Sequence, residues 1–179
     1  MTYMSIIEAV NALLADGRLY RVPQSLPEGL PQIRVIYASG LIRTLLSGIG
    51  LNTRGKIRVG ELQADLDYFM DGRRLDLRPL GNIREYAYMA VLEPVHNDIW
   101  EIRSIDPKPS IRLFGSFVKR NQFVVFTWAW RKELGGRYAK EWRAVIQEFK
   151  EEWQAYFGAL RPLSGSYPDA YLTNARVIN

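Results

Sequence analysis

Hydrophobic residues recur at helical spacing in four segments of the chain. In residues 5–15 the apolar positions follow the i, i+3, i+4, i+7 spacing of one helix face, and Gly17 ends the pattern. The same spacing recurs in 58–72 and, rich in Trp, Phe and Tyr, in 137–157. A shorter apolar segment, 41–50, ends at glycines. The pattern therefore predicts four helices. The aromatic stripe of the last is typical of a helix packed on a sheet rather than of a cofactor site.

Four other segments have the composition of strands. They are 33–40, 98–105, 110–119 and 122–130, rich in β-branched and aromatic residues and bounded by turn-forming ones. Short connections, DPKP and then a tight turn, join the last three. Such connections between consecutive strands predict an antiparallel meander.

The order of these segments predicts an α+β fold. We expect a small twisted antiparallel sheet with helices on one face, an extra N-terminal helix and an amphipathic C-terminal helix. The three prolines within 21–32 indicate an irregular linker. The predicted organisation is therefore an N-terminal helix and linker in 1–32, a main domain in 33–157 and an irregular tail in 158–179.

Composition excludes several kinds of site. The 179 residues include no cysteine, so there is no disulfide framework, thiolate metal site or cysteine nucleophile. The single histidine, His96, cannot build a metal site of several histidines. We expect no cofactor and no bound metal. The N-terminus lacks a secretory signal pattern and no apolar run approaches the roughly 20 residues of a membrane helix, so the sequence predicts a soluble cytoplasmic protein.

Positive charge is concentrated in one part of the chain. The net charge is +5, and residues 99–133 hold seven cations and three acids, a net +4. The cations are Arg103, Lys108, Arg112, Lys119, Arg120, Arg131 and Lys132. If they also cluster in space they would attract a polyanion. The other reading is that they are solvated ends of strands.

Strand alternation places two of these cations together. Arg103 and Arg112 fall on the same face of neighbouring predicted strands, which we expect to be solvent-facing, with their side-chain heads within about 10 Å. Like charges side by side need an anion or an acid between them. Glu101, two residues before Arg103, is one candidate, and a phosphate is the other.

The available residue types suit one chemistry. Cleavage of RNA by its own 2′-hydroxyl needs no metal. It needs positive charge for the phosphorus centre and groups that move protons to and from the oxygens. Arg and Lys can supply the charge, and Tyr or Lys can move protons when its pKa is shifted.

Residues 33–157 resemble the RelE/HigB superfamily of toxin ribonucleases, nearer its phage-derived HigB-like branch. The matching segments in the second half are IWEIRSI, SIRLFGSFV, QFVVFTWAW and RKELGGRYAKEWRAV. They follow the order of the family: a strand with an arginine, a second strand with an arginine, an apolar strand, a basic pair and a helix. Upstream, IRVIYASG followed by two helices matches the opening of the family. The resemblance implies a RelE-like fold.

The resemblance also implies residue roles. Arg112 corresponds to the arginine on the scissile phosphate, Lys132 to the second member of the basic pair, and Tyr138 to the C-terminal tyrosine. These three are the candidate catalytic residues. The candidate substrate-binding residues are Arg103, Lys119, Arg120 and Arg131. Glu101 stands where RelE proper has lysine.

Two functions follow as expectations. In the first, the chain is the toxin of a type II toxin–antitoxin system. It would be a metal-independent endoribonuclease cleaving mRNA, on or off the ribosome, and silenced by an antitoxin of helix-turn-helix type. In the second, it is a non-catalytic, phage-derived protein of the same fold that binds nucleic acid or a protein partner. Neither function involves a membrane.

Overall fold

An eight-stranded mixed sheet forms the centre of the molecule. It is seen in a computed structural model, which describes residues 4–25, 31–78, 87–136, 139–166 and 168–177. The described helices are α1 (Ile6–Ala15), α2 (Gly40–Ser47), α3 (Thr53–Met70), α4 (Lys140–Phe157) and α5 (Pro168–Tyr171). The described strands are β1 (Leu19–Arg21), β2 (Val35–Ser39), β3 (Leu75–Arg78), β4 (Met89–Val91), β5 (Trp100–Ser104), β6 (Ile111–Lys119), β7 (Gln122–Trp130) and β8 (Ala175–Val177).

The strands lie in the order β1-β2-β7-β6-β5-β4-β3-β8. The central β5-β6-β7 unit is antiparallel, so the predicted meander is confirmed. The prediction of a small, wholly antiparallel sheet is wrong, because β2 pairs with β7, and β3 with β4 and β8, in parallel. The fold is α+β, but its sheet is larger than predicted.

Helices cover both faces of the sheet. One core lies between the sheet and the α2–α3 pair and includes Leu62, Phe69, Leu113 and Phe117. A second core lies on the opposite face under α1 and α4, where Phe114 is a central residue. The α2–α3 pair therefore lies on one face as predicted, but the opposite face, which was expected to face solvent, is covered by α1 and α4. The apolar stripe of α4 needs a sheet face to cover it, and the long apolar runs of β6 and β7 are typical of strands buried on both faces.

The C-terminal segment is ordered by contacts with distant parts of the chain. Instead of the irregular tail predicted after residue 158, it contains α5 and β8. The Tyr171 ring lies 4.9 Å from the Trp100 ring, and its hydroxyl donates to Asp98. The buried Arg34 guanidinium donates to the carbonyl of Thr173 at 2.6 Å. Because these partners lie far away in sequence, no local sequence pattern predicts that the segment is ordered.

Local capping fixes where two helices begin. Ser5 and Glu8 form a reciprocal capping box at the start of α1. At α3 the side chain of Asn52 accepts from the backbone N–H of Gly55 at 2.9 Å, so the helix starts at Thr53, five residues before the predicted segment. No helix within the described ranges is both long enough and apolar enough to cross a membrane.

Candidate functional site

Arg103 and Arg112 lie opposite each other on paired strands and meet at one carboxylate. They are register partners of β5 and β6 and share the α4-side face with Glu101. Arg103 Nε and Nη2 each lie 2.6 Å from Glu101 Oε1. Arg112 Nε lies 3.2 Å from Glu101 Oε2, an ion-pair distance without hydrogen-bond geometry. The acid therefore takes the position between the two cations that the sequence left open to either an acid or a phosphate.

This cluster is inside the molecule rather than on an open surface. Glu101 is 2% exposed and Arg112 is 8% exposed, and Arg112 Nη1 also donates to the carbonyl of Ile111 at 3.1 Å. The prediction that the two arginines face solvent is therefore wrong. Helices α1 and α4 cover the face of the sheet that carries Arg103, Arg112 and Glu101. These three enclosed charges therefore form an internal ion-pair network.

The basic pair after β7 divides between two places. Arg131 lies with its guanidinium carbon 5.8 Å from the centre of the Trp142 ring and donates to the carbonyl of Gly135. Lys132 instead lines a cavity beside the start of α3. Since Arg112 lies on the α4 side of the sheet, the structure does not bring Arg112 and Lys132 into one site.

The other candidate residues are also dispersed. Lys119 and Arg120 stand at the turn between β6 and β7, at the far end of β6 from Arg112. With a rise of about 3.3 Å per residue, that separation is roughly 23 Å. Tyr138 lies outside the described residues.

The cavity that Lys132 lines is strongly basic. Its volume is about 550 Å³. The lining residues come from the α2–α3 connection, α3, the turn before β6 and the end of β7: Gly50, Leu51, Asn52, Arg54, Gly55, Arg58, Lys108, Pro109, Trp130 and Lys132. Four of them are cations and none is an acid, so the cavity is suited to an anion.

Arg58 is the deepest cation of this cavity. It is 1% exposed, whereas Arg54, Lys108 and Lys132 are exposed. Its Nε donates to the carbonyl of Pro109 at 2.9 Å, and its Nη2 donates to the carbonyl and hydroxyl of Ser104 at 2.8 and 2.6 Å. Its Nη1 is buried and has no hydrogen-bond partner among the described residues. An anion that reached Nη1 would complete the guanidinium's set of acceptors.

Three carboxylates that lie outside the cavity lining favour the charged form of Arg58. Burial lowers the pKa of Arg58, and the carboxylates of Asp65, Glu61 and Asp106 act in the opposite direction. Burial likewise raises the pKa of Asp65. The hydroxyl of Ser104 donates a hydrogen bond to the Asp65 carboxylate, which acts in the opposite direction on that pKa. This chain of contacts fixes the guanidinium in place while leaving Nη1 unpaired.

The start of α3 adds a second source of positive potential. The first backbone N–H groups of a helix have no partner within it, and the helix dipole makes this end positive. An acid in the first turn would be favourable, yet α3 has none there and carries Arg54 and Lys56. Cations are unfavourable at this positive end of the helix dipole unless an anion is bound. The local sequence therefore lowers the stability of the helix at its start, beside the cavity.

A short sequence signal marks this place but was missed. Residues 50–56, GLNTRGK, have the G-x-x-x-x-G-K spacing of a phosphate-binding loop. Two features depart from that motif. Ile57 stands where a hydroxyl residue is required, and helix α2 rather than a strand precedes the loop. The stem of Lys56 packs close to Gly48 and does not line the cavity. The pattern therefore locates a helix start with exposed amides, not a nucleotide triphosphatase.

Comparisons with protein-family models, with curated proteins and with solved structures find no match for this chain. Within the described ranges, no group of three or more His, Cys, Asp or Glu side chains is placed to hold a metal ion.

Proposed function

We propose that this chain binds RNA, with phosphates held in the cavity at the start of α3. One observation carries the proposal. Four cations, Arg54, Arg58, Lys108 and Lys132, line one cavity that contains no carboxylate. A concave surface of one charge sign concentrates a polyanion more strongly than the same charges spread over a convex surface.

An aromatic ring beside the cations favours nucleic acid among the polyanions. Trp130 lines the cavity and is half-buried, with its ring 5.4 Å from that of Trp128 in an edge-to-face arrangement. Single-stranded nucleic acid is bound by cations that follow the backbone and by aromatic rings on which bases stack. A protein ligand rich in Asp and Glu would use the cations but would gain less from an aromatic wall.

The test is the salt dependence of binding to a single-stranded RNA. Each phosphate contact should contribute about −0.7 to the slope of log affinity against log salt. The double variant Arg54→Gln/Lys132→Gln should therefore flatten the slope by about 1.4 units and weaken binding. Lys150→Gln, which removes an exposed lysine of α4 on the opposite layer, is the matched control and should keep the wild-type slope. Binding that is absent or indifferent to salt would instead favour a protein partner.

A second candidate function is the metal-independent endoribonuclease of a type II toxin–antitoxin pair, acting on mRNA and silenced by an antitoxin. The observation that favours it is that Lys132 and Arg58 line the same cavity. The guanidinium can stabilise charge growing at phosphorus, and an ammonium beside it can protonate the departing 5′-oxygen. In this proposal the chemistry lies in the cavity, and Arg112 acts through the stability of the sheet.

The endoribonuclease proposal has a separate test. Wild-type protein should cleave RNA in the presence of EDTA, alone or with ribosomes, and leave 2′,3′-cyclic phosphate ends. Its expression should arrest bacterial growth, and Lys132→Ala should relieve the arrest by removing a donor worth about 10²–10³ in rate. If the wild type is harmless and leaves RNA intact even with ribosomes present, the binding function stands alone.

A further inference from the structure

We propose that the cavity at the start of α3 binds a phosphomonoester, the terminal phosphate of a nucleotide, rather than a phosphodiester within a strand. For an RNA strand this inference rests on the proposed function. The same chemistry is found in two sources, the end of an RNA and a free nucleotide.

The donors match a group with three free oxygens. Within α3 the N–H of Gly55 is taken by the Asn52 side chain and that of Lys56 by the Asn52 carbonyl. The N–H groups of Thr53 and Arg54 have no partner within the helix. Arg54, Arg58 and Lys132 all line the cavity, so the Arg54 N–H, the Arg58 guanidinium and the Lys132 ammonium are among its donors. A terminal phosphate offers three unesterified oxygens and close to two negative charges, whereas a diester offers two oxygens and one charge.

The depth of Arg58 favours a chain end. Arg58 is 1% exposed, whereas the other three cations of the cavity lining are exposed. A diester phosphate carries a nucleotide on each side, so bringing it down to Arg58 would require both neighbours to enter with it. The volume of about 550 Å³ falls in the range of a pocket for a single small ligand. A terminal phosphate can enter alone, with its one attached nucleoside behind it.

The cavity wall offers a place for that nucleoside. Trp130 belongs to the same lining as Arg58 and Lys132, so a base attached to the bound phosphate lies within reach of its ring. Stacking on an aromatic ring does not select one base over another. The site should therefore recognise the end of a strand and not its sequence.

The experiment compares ligands that differ only in their terminal phosphate. One short single-stranded RNA is prepared with a 5′-phosphate, with a 3′-phosphate, and with hydroxyl groups at both ends. AMP and adenosine serve as free-nucleotide probes. Affinities for the wild-type chain are measured in EDTA by fluorescence anisotropy and competition. The phosphorylated RNA should bind at least about tenfold more tightly than the hydroxyl-ended RNA, the gain expected from charge-assisted hydrogen bonds.

Three variants connect the preference to the cavity. Lys132→Gln changes an exposed side chain and should reduce the preference for the phosphorylated end without unfolding the protein. Arg58→Gln should remove the preference, and circular dichroism shows whether that variant is folded. Lys150→Gln removes one equal charge from α4 and should retain the full preference.

Each outcome either supports or overturns the inference. A preference for one phosphorylated end that Lys132→Gln reduces and Lys150→Gln keeps supports it and identifies the end. Binding of AMP but not of adenosine or RNA supports the phosphomonoester site, assigns it to a free nucleotide, and refutes the proposed RNA function. Equal binding of phosphorylated and hydroxyl-ended RNA overturns the inference and leaves the RNA function intact. No binding of any phosphate probe overturns both.

Discussion

Arg103 and Arg112 face each other across β5 and β6, and both guanidiniums contact the carboxylate of Glu101. Two cations next to each other on a covered sheet face repel, so the carboxylate is what allows them to be buried there. Glu101→Gln keeps the shape of the side chain and removes its charge. We expect it to lower the free energy of unfolding by about 3–5 kcal/mol, the usual effect of removing one partner from a buried ion pair.

Urea unfolding followed by circular dichroism measures this effect. The matched control is Asp76→Asn, which neutralises the carboxylate that pairs with Arg176 between β3 and β8, where the ion pair is largely exposed. Surface pairs contribute little, so the control should leave the midpoint almost unchanged. An unchanged midpoint for Glu101→Gln would show that the two arginines do not depend on this carboxylate.

Arg112 and Lys132 should differ in what their loss changes. Arg112 belongs to the buried trio, so Arg112→Ala should cost about 1.5–3 kcal/mol of stability and leave the RNA affinity of the folded protein unchanged. Lys132 is exposed and lines the cavity, so Lys132→Ala should weaken RNA binding and leave the unfolding midpoint unchanged. Anisotropy titrations and urea unfolding of both variants test this. Loss of RNA affinity in a stably folded Arg112→Ala would return Arg112 to the binding site.

The elements predicted correctly are those with a strong local signal. β6 and β7 are nine residues each and joined by a turn at Arg120-Asn121, so their apolar runs and connection are visible in one short stretch. The missed strands β1, β3, β4 and β8 have three or four residues. They form because a partner exists elsewhere, as when Leu75 pairs with Ala175. Such strands carry too few residues for a periodic pattern.

The shared face of Arg103 and Arg112 followed from strand alternation, but their burial did not. Alternation assigns side chains to faces and does not say what covers a face. The signal for the cover was present in the apolar stripe of 137–157, which needed a second sheet face. The cavity could not be assembled from sequence alone, because Arg58, Lys108 and Lys132 come from three separate parts of the chain. Only the GLNTRGK spacing pointed to it.

Tyr20 should make the protein sensitive to alkaline pH. Its hydroxyl is buried with no hydrogen-bond partner among the described residues, and burial raises its pKa to about 12, with Arg43 acting in the opposite direction. The folded state therefore holds the proton more tightly than the unfolded chain, where the pKa of tyrosine is about 10. Stability from this group is complete below pH of about 10 and is lost as the pH rises towards 12.

Tyr20→Phe removes the ionisable hydroxyl and keeps the ring. Unfolding midpoints measured from neutral to alkaline pH should fall less steeply for this variant than for the wild type. At neutral pH the variant should be as stable or more stable, because an unsatisfied buried hydroxyl is removed. Tyr68→Phe, which deletes an exposed hydroxyl, is the control. Parallel pH profiles for Tyr20→Phe and the wild type would contradict the prediction.

Arg34 should hold the C-terminal segment on the sheet. The side chain is fully buried and donates to the carbonyls of Phe69 at the end of α3, of Arg73 before β3, and of Thr173 before β8. Arg34→Met fills similar space and removes these donors. Each buried carbonyl left unpaired costs about 1–3 kcal/mol, and the cheapest way to rehydrate the Thr173 carbonyl is to release the edge strand β8 into water. Amide hydrogen exchange should therefore accelerate in 173–177 more than in β6 and β7.

Arg18→Met is the matched control, because Arg18 also donates to a backbone carbonyl, that of Ala155 in α4, but at an exposed position. It should leave exchange in 173–177 unchanged. If Arg34→Met unfolds as one unit, with β8 and β7 exchanging at equal rates, the arginine supports the whole sheet and not the C-terminal segment alone.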